Sequence, residues 1–136
     1  MYTYETRLTT RYGETDKMGV IYHANYINYY EIARTEMIRN LGYPYRIMEN
    51  EGIMMPVIEV QSKYIKPAYY DEELIIRTTV KELPTSRIVF HYEVYSSQNE
   101  LLNTGKAVLV FMDVKTRRPR RPPEKLLQIL QQYLAR

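Results

Sequence analysis

The chain has 136 residues, 45% hydrophobic and 26% charged, which fits one globular domain spanning 1–136. Net charge is +3 and cysteine is absent, so disulfides, thiolate zinc sites and a cysteine nucleophile are excluded. No apolar run approaches the roughly 20 residues of a membrane helix, and the N-terminus lacks a leader pattern, so the expectation is a cytoplasmic protein.

Residues 4–12 alternate, Tyr4, Thr6, Leu8, Thr10 and Tyr12 against Glu5, Arg7, Thr9 and Arg11. Period two with aromatic and β-branched residues predicts a strand with one wet face, ended by Gly13. Glu14 to Gly19 is a loop holding Asp16. From about His23 to Leu41 the period changes to that of a helix. Tyr26, Tyr30, Ala33, Met37 and Leu41 form its stripe, widened by Ile27 and Ile38, with Glu31, Arg34 and Arg39 off it. Asn25 is a candidate cap, and Gly42 followed by Pro44 stops the run. A shorter helix is expected over 43–51, closed by Gly52.

The remainder reads mostly as strand. Ile58, Val60, Ser62 and Tyr64 share one face of a strand reaching Lys66-Pro67. Leu74, Ile76, Thr78 and Val80 alternate with Ile75, Arg77, Thr79 and Lys81, and Ile88, Phe90, Tyr92 and Val94 with Val89, His91, Glu93 and Tyr95. Leu101 to Val114 is the longest strand, apolar on both faces from Ala107 to Met112, which suggests that both faces are covered. After a loop over 115–123, Leu126, Leu127, Leu130, Tyr133 and Leu134 stripe a closing helix. Strands segregated from helices predict an α+β fold with a largely antiparallel sheet. Its open edge invites pairing with a second copy.

The chemistry-bearing stretch is Tyr12 to Glu36. Taken alone, Asp16 reads as an ordinary turn or capping acid. His91 reads as a structural or solvent-facing strand residue, and two histidines in separate elements make a poor case for a metal. Arg117, Arg118, Arg120 and Arg121 read either as a solvated loop or as a landing site for phosphates. No nucleic-acid-binding motif accompanies them.

The pattern Tyr12-x-x-Thr15-Asp16-x-x-Gly19-Val20-Ile21-Tyr22-His23-Ala24-Asn25-Tyr26, followed by Glu31-x-Ala33-Arg34, resembles the hotdog-fold thioesterases of the 4-hydroxybenzoyl-CoA thioesterase, YbgC-like group. Lys63-Tyr64-x-Lys66-Pro67, Phe111-x-Asp113 and Pro122-Pro123-Glu124 are similar to later signatures of that group. The resemblance implies a five-stranded, mainly antiparallel sheet wrapped around a long central helix. It also implies a homodimer with a continuous sheet, paired into tetramers, with sites at the dimer interface. The implied substrate is an acyl thioester of coenzyme A, or in some members of acyl carrier protein, with no metal or organic cofactor. It makes Asp16 catalytic and assigns His23 a backbone N–H directed at the thioester carbonyl.

The residues make sense of that chemistry. Asp16 can act as general base or nucleophile. The first N–H groups of a helix have no intrahelical partner and sit at its positive end, so they can stabilise a developing oxyanion. Gly19 lets the backbone approach a bulky substrate. Tyr22 and Tyr26 are candidate pocket walls, Asn25 a loop-ordering side chain, and Lys63, Lys66 and Arg87 candidate phosphate contacts. Glu31 and Glu36 compete with Asp16, since another hotdog branch carries its acid on the helix. Their bland alternative is an ion pair with Arg34. Two rival functions remain open here, a hotdog dehydratase or hydratase and a non-catalytic acyl-thioester binding module.

Overall fold

The computed structural model describes residues 1–134. Its elements in chain order are β1 (Tyr2–Thr9), α1 (Asn25–Asn40), α2 (Tyr45–Asn50), β2 (Ile53–Met54), β3 (Val57–Tyr64), β4 (Glu73–Val80), β5 (Arg87–Ser96), β6 (Leu101–Val110), β7 (Met112–Asp113) and α3 (Glu124–Leu134). Five strands form one sheet in the order β1-β4-β5-β6-β3, every pair antiparallel. This is the α+β arrangement expected, with α1 laid across one face of the sheet. A short β2–β7 ladder is added beside it.

Alternation decides which face meets the helix. Leu74, Ile76, Thr78 and Val80 of β4 and Ile88, Phe90, Tyr92 and Val94 of β5 all point inward and are buried. They meet Tyr26, Tyr29, Tyr30, Ala33, Met37 and Ile38 of α1 in one core, which Leu126 and Leu130 of α3 complete. Tyr30 packs over Gly105 of β6, where an added Cβ would lie 2.3 Å from the phenol ring. Its ring stacks on Tyr92 at 4.3 Å. Its hydroxyl joins Asn103 of β6 and Ser62 of β3 in a buried network, with Asn103 Nδ2 donating to Ser62 Oγ at 2.9 Å.

Four expectations are corrected. The first strand ends at Thr9, not Tyr12, because Thr10 turns its hydroxyl to the Tyr69 carbonyl at 2.6 Å and Tyr12–Glu14 close a 3-10 turn. Tyr12 is therefore exposed. Ile27 does not widen the buried stripe, being 45% exposed, whereas Arg34 is 8% exposed and belongs to it. The buried arc is centred on Tyr29, Tyr30, Ala33 and Met37, which turns Ile27 to solvent and Arg34 inward. Asn25 is the first helical residue and makes no cap. The last strand breaks at Phe111, whose amide turns to Ser86 O at 2.8 Å before Met112 and Asp113 pair with β2. The helix end is as expected: Gly42 takes φ +87° and the Tyr43 amide reaches back to Ile38 O at 3.3 Å.

The edge strand β3 is the least covered element. None of its residues is buried, and Val57, Ile58 and Tyr64 are exposed. Its outward row of backbone groups has no strand beside it. No helix among the described residues is long and apolar enough to cross a membrane.

Candidate active site

The loop before α1 is held by Glu14. Its carbonyl accepts the Tyr22 amide and the Asn25 side chain, each at 2.9 Å. Its carboxylate accepts the Arg11 amide and the Tyr29 hydroxyl, each at 2.8 Å. Burial and this carboxylate together hold the Tyr29 phenol well above its ordinary range. Acid loop and helix start are thus tied through one residue. The Asn25 side chain ties the helix start to the loop through this hydrogen bond.

Inside that frame Asp16 makes a tight turn. Its Oδ1 accepts the Met18 amide at 2.8 Å and the Val20 amide at 3.4 Å. Its own amide donates to Val20 O at 2.9 Å, and Gly19 returns at φ +80° with its amide on Asp16 O at 3.1 Å. A β-carbon is strained in that left-handed conformation, which is why glycine stands there. The loop is pinned to 68–69 by the Ile21 amide on Ala68 O at 2.9 Å and by a Val20–Tyr69 bridge. The other carboxylate oxygen of Asp16 accepts no hydrogen bond from the described residues.

The first turn of α1 is wound tightly. Asn25 N donates to Tyr22 O at 3.0 Å and Tyr26 N to His23 O at 3.2 Å. No side chain caps this end, and neither the His23 nor the Ala24 amide has an acceptor among the described residues. Two N–H groups at the positive end of a helix are therefore open.

Asp16, Met18, His23, Tyr26, Tyr64 and Lys66 line a cleft of about 330 Å³. The Tyr64 hydroxyl donates to the His23 carbonyl at 3.1 Å, and its ring meets Tyr26 edge-on at 5.4 Å. Tyr26 is buried, which pushes its hydroxyl up to about 12. Tyr22 is exposed and packs on the His23 ring at 4.4 Å. Lys66 reaches Glu100 at 2.7 Å and forms one wall.

Not every candidate converges here. Lys63 faces Thr104 on the outer side of the sheet. Arg87 begins β5 opposite Val110, at the end of the sheet away from Tyr64. Glu36 pairs with Arg39, not Arg34, and Glu31 is exposed two turns down the helix and lines a different cavity. His91 projects from the outer face, where burial and the charges of Lys81 and Lys106 lower its pKa. Two residues of the site were missed from sequence, Glu14 as the tie between loop and helix and Tyr64 as a wall. Spacing carried a signal for Glu14, three residues after Arg11. Tyr64 stood in the Lys63-Tyr64-x-Lys66-Pro67 signature, but nothing there marked it as a wall of the site. The described residues contain no group of three or more histidine, cysteine, aspartate or glutamate side chains able to hold a metal.

Residues 10–130 match the family model of the thioesterase-like superfamily. The chain is 32% identical over 116 residues to the acyl-CoA thioester hydrolase YbgC of Escherichia coli, covering 85% of this chain and 87% of that one. It is 35% identical over 105 residues to the acyl-CoA thioesterase YbgC of Helicobacter pylori, covering 77% of each. Among solved structures, the DHNA-CoA thioesterase of Staphylococcus aureus is similar at TM-score 0.85 and 36% identity, covering 99% of this chain and 85% of that one.

Proposed function

From the premise that the chain belongs to the thioesterase-like superfamily and is an acyl-CoA thioesterase of hotdog fold, we propose that Asp16 and the open start of α1 form its catalytic centre. The observation that carries this reading is the shared cleft. One carboxylate with a free oxygen and one helix end with free amides line the same space.

The thioester carbonyl lies against the His23 amide, whose N–H donates to the oxygen as it gains charge. Such a donor contributes about 3–4 kcal/mol to the transition state. Asp16 takes a proton from water as the water oxygen adds to the carbonyl carbon, or attacks that carbon itself. The tetrahedral adduct then expels the coenzyme A thiolate, which is protonated to the thiol; direct attack leaves a mixed anhydride on Asp16, which water hydrolyses to the free acid and the restored carboxylate. Gly19 and Tyr22 border the reacting centre, Tyr26 and Tyr64 wall the acyl side, and Lys66 contacts the coenzyme A phosphates. The His23 side chain is not required, because its amide does the work.

The same reading makes the protein a homodimer, with β3 paired antiparallel to β3 of a second copy, and dimers paired into tetramers. The exposed apolar edge supports this. Two-fold pairing lays the Val57 end of one copy beside the Tyr64 end of the other. Arg87, which neighbours the Val57 end through β6, then approaches the second copy's cleft, while Lys63 stays on the outer face. The exposed Lys115, Arg117, Arg118 and Arg121 suit an acidic acyl carrier protein as an alternative donor, and the place of action is the cytoplasm.

The test is a panel of acyl-CoA thioesters followed by release of free thiol. Hydrolysis of at least one member is expected. Hydration of an enoyl-CoA without thiol release would favour the hydratase instead, and binding without turnover would favour a carrier module.

A further inference from the structure

Arg34 is 92% removed from solvent yet has no carboxylate within 4 Å among the described residues. A buried cation without a partner is unfavourable and is normally paired. Its guanidinium lines a cavity of about 220 Å³ between α1, α2 and β2 that shares no residue with the Asp16 cleft. Tyr45 lines the same cavity; its buried hydroxyl lies beside the Arg34 guanidinium and has no other hydrogen-bond partner among the described residues. From the sheet side the buried Tyr92 hydroxyl, which does not itself line the cavity, also lies beside the Arg34 guanidinium. Burial raises both phenols, so both remain O–H donors at neutral pH.

A planar guanidinium beside phenol donors matches a carboxylate better than any other common anion. The rest of the lining is mainly apolar, with Met48, Met54 and Met55 beside Ile53 and Leu109. Methionines adapt to irregular alkyl chains. Glu31 and Glu49, both exposed, also line the cavity. Their charge opposes any anion, but both are exposed and screened by solvent, whereas Arg34 is buried.

We infer that the Arg34 cavity is a second ligand site, built for a monocarboxylate carrying a short apolar stem. Hydrolysis of an acyl thioester releases a molecule of that class. The free acid as natural occupant therefore rests on the thioesterase reading, while carboxylate binding itself does not.

Calorimetry on the whole protein with acetate, butyrate, hexanoate and inorganic phosphate tests this. Saturable binding is expected, tighter for butyrate than acetate, at least tenfold weaker in Arg34→Gln, and absent for phosphate. Tyr45→Phe provides a milder variant and weakens butyrate about fivefold, the loss of one hydrogen bond. Binding persists in Asp16→Asn, since the two sites share no residue. Crystals soaked with 4-bromobutyrate place the bromine signal among the methionines. No saturable binding, an affinity unchanged in both Arg34→Gln and Tyr45→Phe, bromine only in the Asp16 cleft, or a carboxylate of a second copy seated on Arg34 each overturns the inference. Butyrate bound at Arg34 in a protein that hydrolyses no acyl-CoA leaves the site standing and sinks the thioesterase reading instead.

Discussion

Asp16→Asn separates the chemistry of the loop from its architecture. Asparagine keeps an oxygen where Oδ1 accepts the Met18 and Val20 amides at 2.8 and 3.4 Å, so the turn is retained. Replacing a charged acceptor by a neutral one there costs about 1 kcal/mol or less of stability. The amide nitrogen replaces the free carboxylate oxygen and can neither take a proton from water nor attack a carbonyl. General-base catalysis is worth a factor of about 10²–10⁴, or roughly 2.7–5.4 kcal/mol at 1.36 per decade. Thiol release from a good acyl-CoA substrate should therefore show kcat down by at least about a hundredfold, KM within about threefold, and a melting temperature lowered by no more than about 5 °C. Asp16→Ala should match it in kcat but lose about 1 kcal/mol more stability, because the acceptor is gone. A kcat within about tenfold of the parent in Asp16→Asn would refute the assignment. Loss of turnover in Glu31→Gln with Asp16→Asn active would move the acid onto the helix.

Three further outcomes are expected. Tyr29→Phe deletes the hydroxyl that donates to Glu14 at 2.8 Å and should cost about 1.5–3 kcal/mol in urea unfolding, since the acceptor is charged and mostly covered. A loss under 0.5 (roughly, below what such experiments resolve) would mean that the tie is not a stabilising one. Gly105→Ala pushes a methyl to 2.3 Å from the Tyr30 ring, which stacking and hydrogen bonds hold in place, and should destabilise by about 1–3 kcal/mol or more. A neutral result would show that Tyr30 moves freely. Burial raises Tyr26 and Tyr30 to about 12 from an ordinary 10.0. Their folded values lie above their unfolded ones, so this stability is full below pH 10 and is lost as pH climbs toward 12. Tyrosinate absorbance should rise in two stages, the later one coinciding with loss of helical circular dichroism. A single early stage with structure intact would contradict the burial of these phenols.

Much of the fold could be read from periodicity, because alternation and helical stripes record which face is covered. The inner rows of β4 and β5 emerged as read, since each strand is covered on one side only. Arg34 did not. A charged residue next to an apolar stripe looks solvent-facing, and its burial comes from Tyr45 and Tyr92, which arrive from distant sequence. Ile27 failed in the opposite sense, because an apolar residue outside the buried arc can be left exposed. Within the site, Asp16 and the helix start were legible from a dense local motif. The fates of Lys63 and Arg87 depended on strand register and sheet ends, which no local pattern encodes.

The uncapped start of α1 also bears on how far this protein can be hardened. A serine or aspartate placed to accept the open amides would stabilise the helix by about 1 kcal/mol. It would occupy the same donors that are proposed to hold the thioester oxygen. Evolution toward higher melting temperature must therefore work elsewhere, for instance in the two-residue ladder of β2 and β7 or in the open edge of β3. The first turn, with two amides unclaimed among the described residues, is a place where added thermal robustness and turnover trade against each other.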